Sequence, residues 1–140
     1  AGVPVIVDPV SNLPFQLEGR NNRGDNAVRM ARAGVRVALS TRRTHNLGNL
    51  RFYLGNAVRA GMPDDVALRA GTRVPAEIFG RDDLGSIEAG QTANLVVWSG
   101  DPFEPSSAAE VVVIRGERQP LESRQTRLAD RYIERLGLDD

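Results

Sequence analysis

His45 is the only imidazole in the chain, and there is no cysteine. Thiol nucleophiles, disulfides and cysteine-based zinc sites are therefore excluded, and nitrogen ligation of a metal rests on one side chain. The remaining hard donors are carboxylates, with 18 acidic residues balancing 18 basic ones. Every basic residue is arginine. A guanidinium cannot ligate a metal or act as a base near neutral pH, but it can grip a carboxylate or phosphate through paired hydrogen bonds. The arginines are scattered rather than clustered, which reads as compositional bias rather than an anion site.

Position singles out a smaller set. Asp8 and Asn12 follow the apolar run Val3–Val7, and Arg42, Arg43, Thr44, His45 and Asn46 follow the run Val35–Leu39. If both runs are strands of a barrel, these residues stand at its mouth, since residues at the C-terminal ends of barrel strands face the active site. Arg42 or Arg43 would then hold a substrate carboxylate, with His45, Asn46 and Asp8 as further substrate contacts. The plainer reading makes the arginines solvated loop charges and His45 a loop or capping residue. Asp8 before Pro9 would then end a strand, and Asn12 would be a turn residue.

The elements that must position these residues follow from patterning. Val3–Val7 is β-branched and reads as a buried strand ending at Asp8-Pro9. Residues 10–25 read as a loop. Asn26 is placed to cap a helix with Ala27, Val28, Met30 and Ala31 on its apolar face, ended by Gly34. Leu50, Tyr53, Leu54, Ala57 and Val58 share one helical face, closed by Gly61. Pro63-Asp64-Asp65 opens another helix, with acids at its positive end, and Pro75 starts a short one ended by Gly80.

The character then changes. Leu84–Glu88, Leu95–Trp98 and Val111–Ile114 are strand candidates between turn residues, and Trp98 reads as core. Arg115-Gly116-Glu117-Arg118 fits a hairpin turn leading to Gln119–Leu121. Ser123 caps a last helix carrying Leu128, Tyr132 and Leu136 on one face. The expected division is 1–80, a βα segment; 81–122, a small β region; and 123–140, a helix. A strand–helix–strand unit implies a parallel pair, so the class is α/β.

The 140 residues, 41% hydrophobic and 26% charged, suit one globular domain. Zero net charge gives no reason to expect nucleic acid, and no apolar run approaches a membrane span. A cytoplasmic location is the expectation. The chain opens at Ala1 and enters a strand at once, from which a processed or incomplete product is expected.

Between Leu68 and Gly116 the sequence resembles the amidohydrolases, nearest to the imidazolonepropionase-like branch, and the likeness extends over essentially the whole chain. Ala67-Leu68-Arg69-Ala70-Gly71-Thr72-Arg73-Val74-Pro75-Ala76-Glu77-Ile78-Phe79-Gly80 is similar to the segment where a helix leads into T-x-N-P-A. Leu84-Gly85-Ser86-Ile87-Glu88-Ala89-Gly90-Gln91-Thr92-Ala93-Asn94-Leu95-Val96-Val97-Trp98 resembles G-S-I/L-E-x-G-K-x-A-D-L-V-V. Gly100-Asp101-Pro102-Phe103-Glu104 and Val111–Gly116 resemble the closing segments.

The resemblance implies a TIM barrel carrying a small β-sandwich built from both chain ends. Val3–Val7 would be barrel strand seven, Val35–Leu39 strand eight, and the later strands the C-terminal share of the sandwich. A full barrel needs about 250 residues, so the chain would be a C-terminal fragment. The implied chemistry is hydrolysis of C–N bonds in non-peptide amides, cyclic amides or amidines, on one or two divalent metals, zinc being expected. The family's His-x-His pair would lie upstream of Ala1, and its strand-eight Asp should follow Ser40-Thr41. Arg42 and Arg43 stand there instead, with no carboxylate before Asp64. No catalytic residue, metal ligand or cofactor is therefore assigned to this chain, and a parent would either have lost catalysis or use another base. Two further departures, Asn94 for Asp and Val74 for the capping Asn, read as structural.

The leading expectation is a piece of a hydrolase, inactive alone. Its partner would be the missing N-terminal part of the barrel, or further copies in an oligomer. A noncatalytic binding or assembly module is the alternative. A doubly wound binding domain is weaker, because no Gly-rich loop follows either strand.

Overall fold

The computed structural model describes residues 2–10 and 17–137. The turn expected at Asn12 lies outside the described residues. The element order is β1 (Val5–Val7), α1 (Asn26–Arg32), β2 (Val37–Leu39), α2 (Leu50–Arg59), α3 (Asp64–Gly71), α4 (Arg73–Ile78), β3 (Leu95–Trp98), β4 (Ala109–Ile114), β5 (Glu117–Gln119) and α5 (Arg124–Leu136). Short 3-10 turns span Leu17–Gly19 and Thr44–Asn49.

β1 and β2 form the expected parallel pair, with Val5 opposite Val37 and Val7 opposite Leu39. The two strands differ in burial. All three residues of β2 are buried, whereas Ile6 of β1 is 48% exposed. The expectation that Val3–Val7 is a buried strand is corrected: the helices pack on β2, and nothing among the described residues covers the face that carries Ile6. Val35 also stays outside its strand, because its N–H donates to Met30 O in the turn after α1.

The core joins α1, β2, α2 and α3 through small side chains. Ala27, Ala57, Ala67 and Ala70 are at most 1% exposed, and Val28, Val37, Leu39, Leu54 and Met62 complete it. Small residues let helices approach closely. A Cβ added at Gly71 would lie 2.6 Å from Leu54 Cδ1, so α3 rests directly on α2.

Helix ends depart from the sequence reading at two places. Asn26 is the first helical residue of α1, and Asp25 occupies the cap position without capping. Its carboxylate is taken instead by Arg23, whose Nε and Nη2 donate at 2.8 and 3.1 Å. α4 begins at Arg73, two residues before Pro75, since proline's missing N–H costs nothing in a helix's first turn.

The second half holds an antiparallel sheet in the order β3-β4-β5. Leu84–Glu88, expected as a strand, is irregular. Gly85 has φ +90°, and a Cβ there would stand 2.6 Å from Arg73 Cα, so this segment is tied to the α3–α4 joint and pairs with no strand among the described residues. The hairpin turn is tighter than expected: Arg115 and Gly116 both have positive φ, and Glu117 already belongs to β5. That is the two-residue arrangement whose twist matches its strands. Trp98, expected as core, is half-buried.

α5 stands apart. Ser123 caps it as expected, within a reciprocal box with Thr126, and Gly137 ends it in a left-handed turn. None of its residues is buried.

Candidate functional site

The register of the parallel pair carries Asp8 and Ser40 to the same end, one residue beyond Val7 and Leu39. Ser40 N donates to Val7 O at 2.9 Å, which extends the pairing to the rim. Asp8 is buried, at 7% exposure, and its Oδ1 accepts from Val10 N at 2.9 Å. A carboxylate is costly to bury unless hydrogen-bonded, so part of its capacity serves the turn at Pro9.

Two hydroxyls build the turn after β2. Arg42 N donates to Ser40 Oγ at 3.1 Å, and Thr41 Oγ1 donates to Arg43 O at 3.0 Å, with Thr41 buried at 4%. Between them Arg42 is held at φ 53°, a left-handed conformation uncommon for a side chain larger than glycine. The guanidinium is exposed at the strand's end. Ser40 and Thr41 were legible only as a strand terminus. The signal that could have found them is a Ser-Thr pair just after an apolar run, a common turn-bracing combination.

Arg43 and His45 are also exposed, and neither side chain has a partner among the described residues. Asn46 is half-buried in the 3-10 turn, and its N–H donates to Arg43 O at 3.0 Å. Asp8 and Arg42 thus share the rim of one strand pair, while Arg43, His45 and Asn46 follow along the connection to α2.

Arg51, not singled out from the sequence, joins the two halves of the chain. From α2 its Nη1 donates to Pro102 O at 3.1 Å and Glu104 O at 2.9 Å. Its guanidinium lies 4.2 Å from the Phe52 ring centre and 5.0 Å from that of Trp98, and Phe103 packs against Gly55. The Gly100–Glu104 loop is thereby clamped to α2, which links the β-sheet to the helical layer that sets the rim.

A separate open groove of about 640 Å³ lies between Arg81, Asp83, Gln91 and Arg115. Arg81 donates twice to Asp83 at 2.8 Å, and Thr92 Oγ1 donates to it at 3.0 Å. These bonds, the Arg81 pair first, hold the Asp83 carboxyl well below the usual carboxylate range. The arrangement fixes a loop, with Arg81 and Asp83 satisfying one another.

Among the described residues no group of three or more His, Asp or Glu side chains could hold a metal ion. Asp8 and His45 are the donors near the rim. Their chemistry does not fit a hydrolytic metal centre, which needs at least three protein ligands.

A model of the amidohydrolase family matches residues 8–122. Among solved structures, an amidohydrolase from Thermotoga maritima MSB8 is similar, with a TM-score of 0.77 and 33% identity. The match covers 88% of this chain and 32% of that one, so the chain spans about a third of the length of this relative. No curated protein matches. Family proteins are generally metal-dependent. The chain belongs to the amidohydrolase family.

Proposed function

We propose that this chain acts as the C-terminal part of a metal-dependent hydrolase of non-peptide C–N bonds and does not catalyse alone. The observation that carries this is the pairing of a family match over residues 8–122 with coverage of only 32% of a solved amidohydrolase. In this reading β1 and β2 are the last two strands of a barrel, and the sheet β3-β4-β5 belongs to an accompanying β-sandwich. The parallel pairing of β1 with β2, the exposed Ile6 and the uncovered sheet all suit elements whose neighbours come from elsewhere.

In such a barrel the role of this chain is positioning. Asp8 and Ser40 would edge the mouth, and Arg42 would meet a substrate's anionic group by paired hydrogen bonds. Arg43, His45 and Asn46 would line the approach. The metal, with zinc the expected ion, would be held by residues of preceding strands.

The chain alone, dialysed against zinc, is expected to retain no stoichiometric metal and to hydrolyse no amide, lactam or amidine. Mixed with a segment carrying the preceding barrel strands and a His-x-His pair, it is expected to restore both. Tight equimolar zinc and turnover by the chain alone would overturn the reading.

One observation favours a noncatalytic assembly module instead: an arginine, fixed in a left-handed turn, stands where the family's catalytic Asp is expected. If the complemented barrel binds zinc yet never turns over, this second reading replaces the first.

A further inference from the structure

The rim segment has few anchors of its own. Between Arg42 and Asn49 only Asn46 is half-buried, and the rest are exposed. Within the 3-10 turn Thr44–Asn49, no side chain hydrogen-bonds to another element among the described residues. The segment is therefore held at its two ends. At the β2 end the hydroxyls of Ser40 and Thr41 brace the turn. At the other end it runs without a break into α2, with Leu50 N donating to Leu47 O.

That second anchor is weak by itself. Asn49 stands at the cap position of α2, but its side chain makes no capping hydrogen bond. An uncapped helix start keeps orphan N–H groups and frays unless tertiary contacts hold its first turn. The buried residues of α2, Leu54 and Ala57, come a turn or more later. In the first turn, the hydrogen bonds to another element among the described residues are those of Arg51. One nitrogen, Nη1, donates to two carbonyls, Pro102 O and Glu104 O. The same guanidinium lies over the rings of Phe52 and Trp98. Charged donors and aromatic faces make this a stronger hold than a neutral hydrogen bond. Gly55 is four residues on and shares the face of Arg51. A Cβ there would lie 3.1 Å from Phe103 O, so the Gly100–Glu104 loop lies along α2 from its first turn.

We propose that Arg51 is a positioning residue. Through the first turn of α2 it fixes where Arg43, His45 and Asn46 stand, and it ties their placement to the small sheet. That these residues line a substrate's approach rests on the hydrolase reading above; that Arg51 orders them does not. The effect is graded along the segment. Loss of Arg51 frees the α2 end, whereas the hydroxyl braces at Ser40 and Thr41 are untouched.

Arg51→Met in the full chain keeps a long unbranched side chain and removes the charge and the donors. Trp98 is the only tryptophan, so its emission reports the clamp directly and is expected to change in the variant. Amide exchange followed by NMR reports the rim. Asn46 N donates to Arg43 O and Leu50 N to Leu47 O, while Ser40 N donates to Val7 O across the strand pair. In Arg51→Met the Asn46 and Leu50 amides are expected to exchange about tenfold faster, with Ser40 within about twofold of wild type. Arg51→Lys keeps a cation but not the planar stack. It is the milder variant should Arg51→Met not fold, with the same direction of change expected. Equal acceleration at Ser40 overturns the proposal, because Arg51 then supports only global stability. Unchanged exchange at Asn46 and Leu50 overturns it, as does unchanged Trp98 emission. None of these readouts uses zinc or turnover, so a failure of the hydrolase reading is seen separately, in the complementation experiment.

Discussion

Arg42 combines a costly backbone with an exposed charge. A left-handed conformation costs an ordinary L-residue about 1–2 kcal/mol, and here two hydroxyl hydrogen bonds hold it in place. Arg42→Gly is expected to leave stability unchanged or raise it by up to about 1 kcal/mol. Arg42→Val should lower it by about 1 kcal/mol or more, since a β-branched residue tolerates positive φ worst. Urea unfolding of both variants measures this, and equal midpoints would show the turn to be unstrained. At Asp83 the folded-state carboxyl is held below the usual range by Arg81 and Thr92. A depressed folded value contributes stability above the unfolded carboxylate range, and that contribution is lost as pH falls through the folded value. Asp83→Asn should therefore melt lower than wild type at neutral pH, with the gap closing in strong acid. The group is exposed, so the gap is small. A gap that widens in acid would reverse the assignment.

The informative elements are those whose ends are set by close approach. Gly85 sits at φ +90° against the backbone of Arg73. Gly85→Ala brings both a forbidden conformation and a backbone clash, with an expected loss of about 1–3 kcal/mol. Thermal melts read the loss, and a neutral result would mean that residues 84–88 can detach from the α3–α4 joint. α5 gives the opposite case. Because it buries no residue, ending the chain after Glu122 should leave the denaturation midpoint of the α1–β2–α2–α3 core within about 0.5 kcal/mol of the full chain. A larger drop would show that α5 has a seat on the core.

At the scale of the molecule, the accessible surface is large for the mass. The accessible surface is 10333 Å² for a chain of 15.2 kDa, against roughly 7,100 Å² for a compact monomer of that mass. Ile6, Ile87, Val96, Val97 and Ile114 are among its exposed apolar residues, and two short open sheets leave unpaired strand edges. No helix among the described residues is long and apolar enough to cross a membrane. The chain is expected to bind a hydrophobic dye and to self-associate at moderate concentration. Sedimentation as a compact, dye-silent monomer would contradict both.

The sequence by itself determined the helices, the parallel β1–β2 pair and the hairpin region, because apolar period, proline, glycine and a serine cap act within a few residues of where they stand. It also limited the chemistry, since with one histidine and no cysteine any further metal ligands would have to be oxygen donors. The tertiary structure decided what depends on distant neighbours. It left Val3–Val7 half-open instead of buried, because burial needs a second covering layer. It kept Leu84–Glu88 out of a sheet, because a strand needs a partner and Gly85 is committed to Arg73. It made Arg51 the clamp between the two halves. It also placed Asp8 and Arg42, far apart in sequence, on one rim, since hydrogen bonds across a parallel pair, not local propensity, set which strand ends meet.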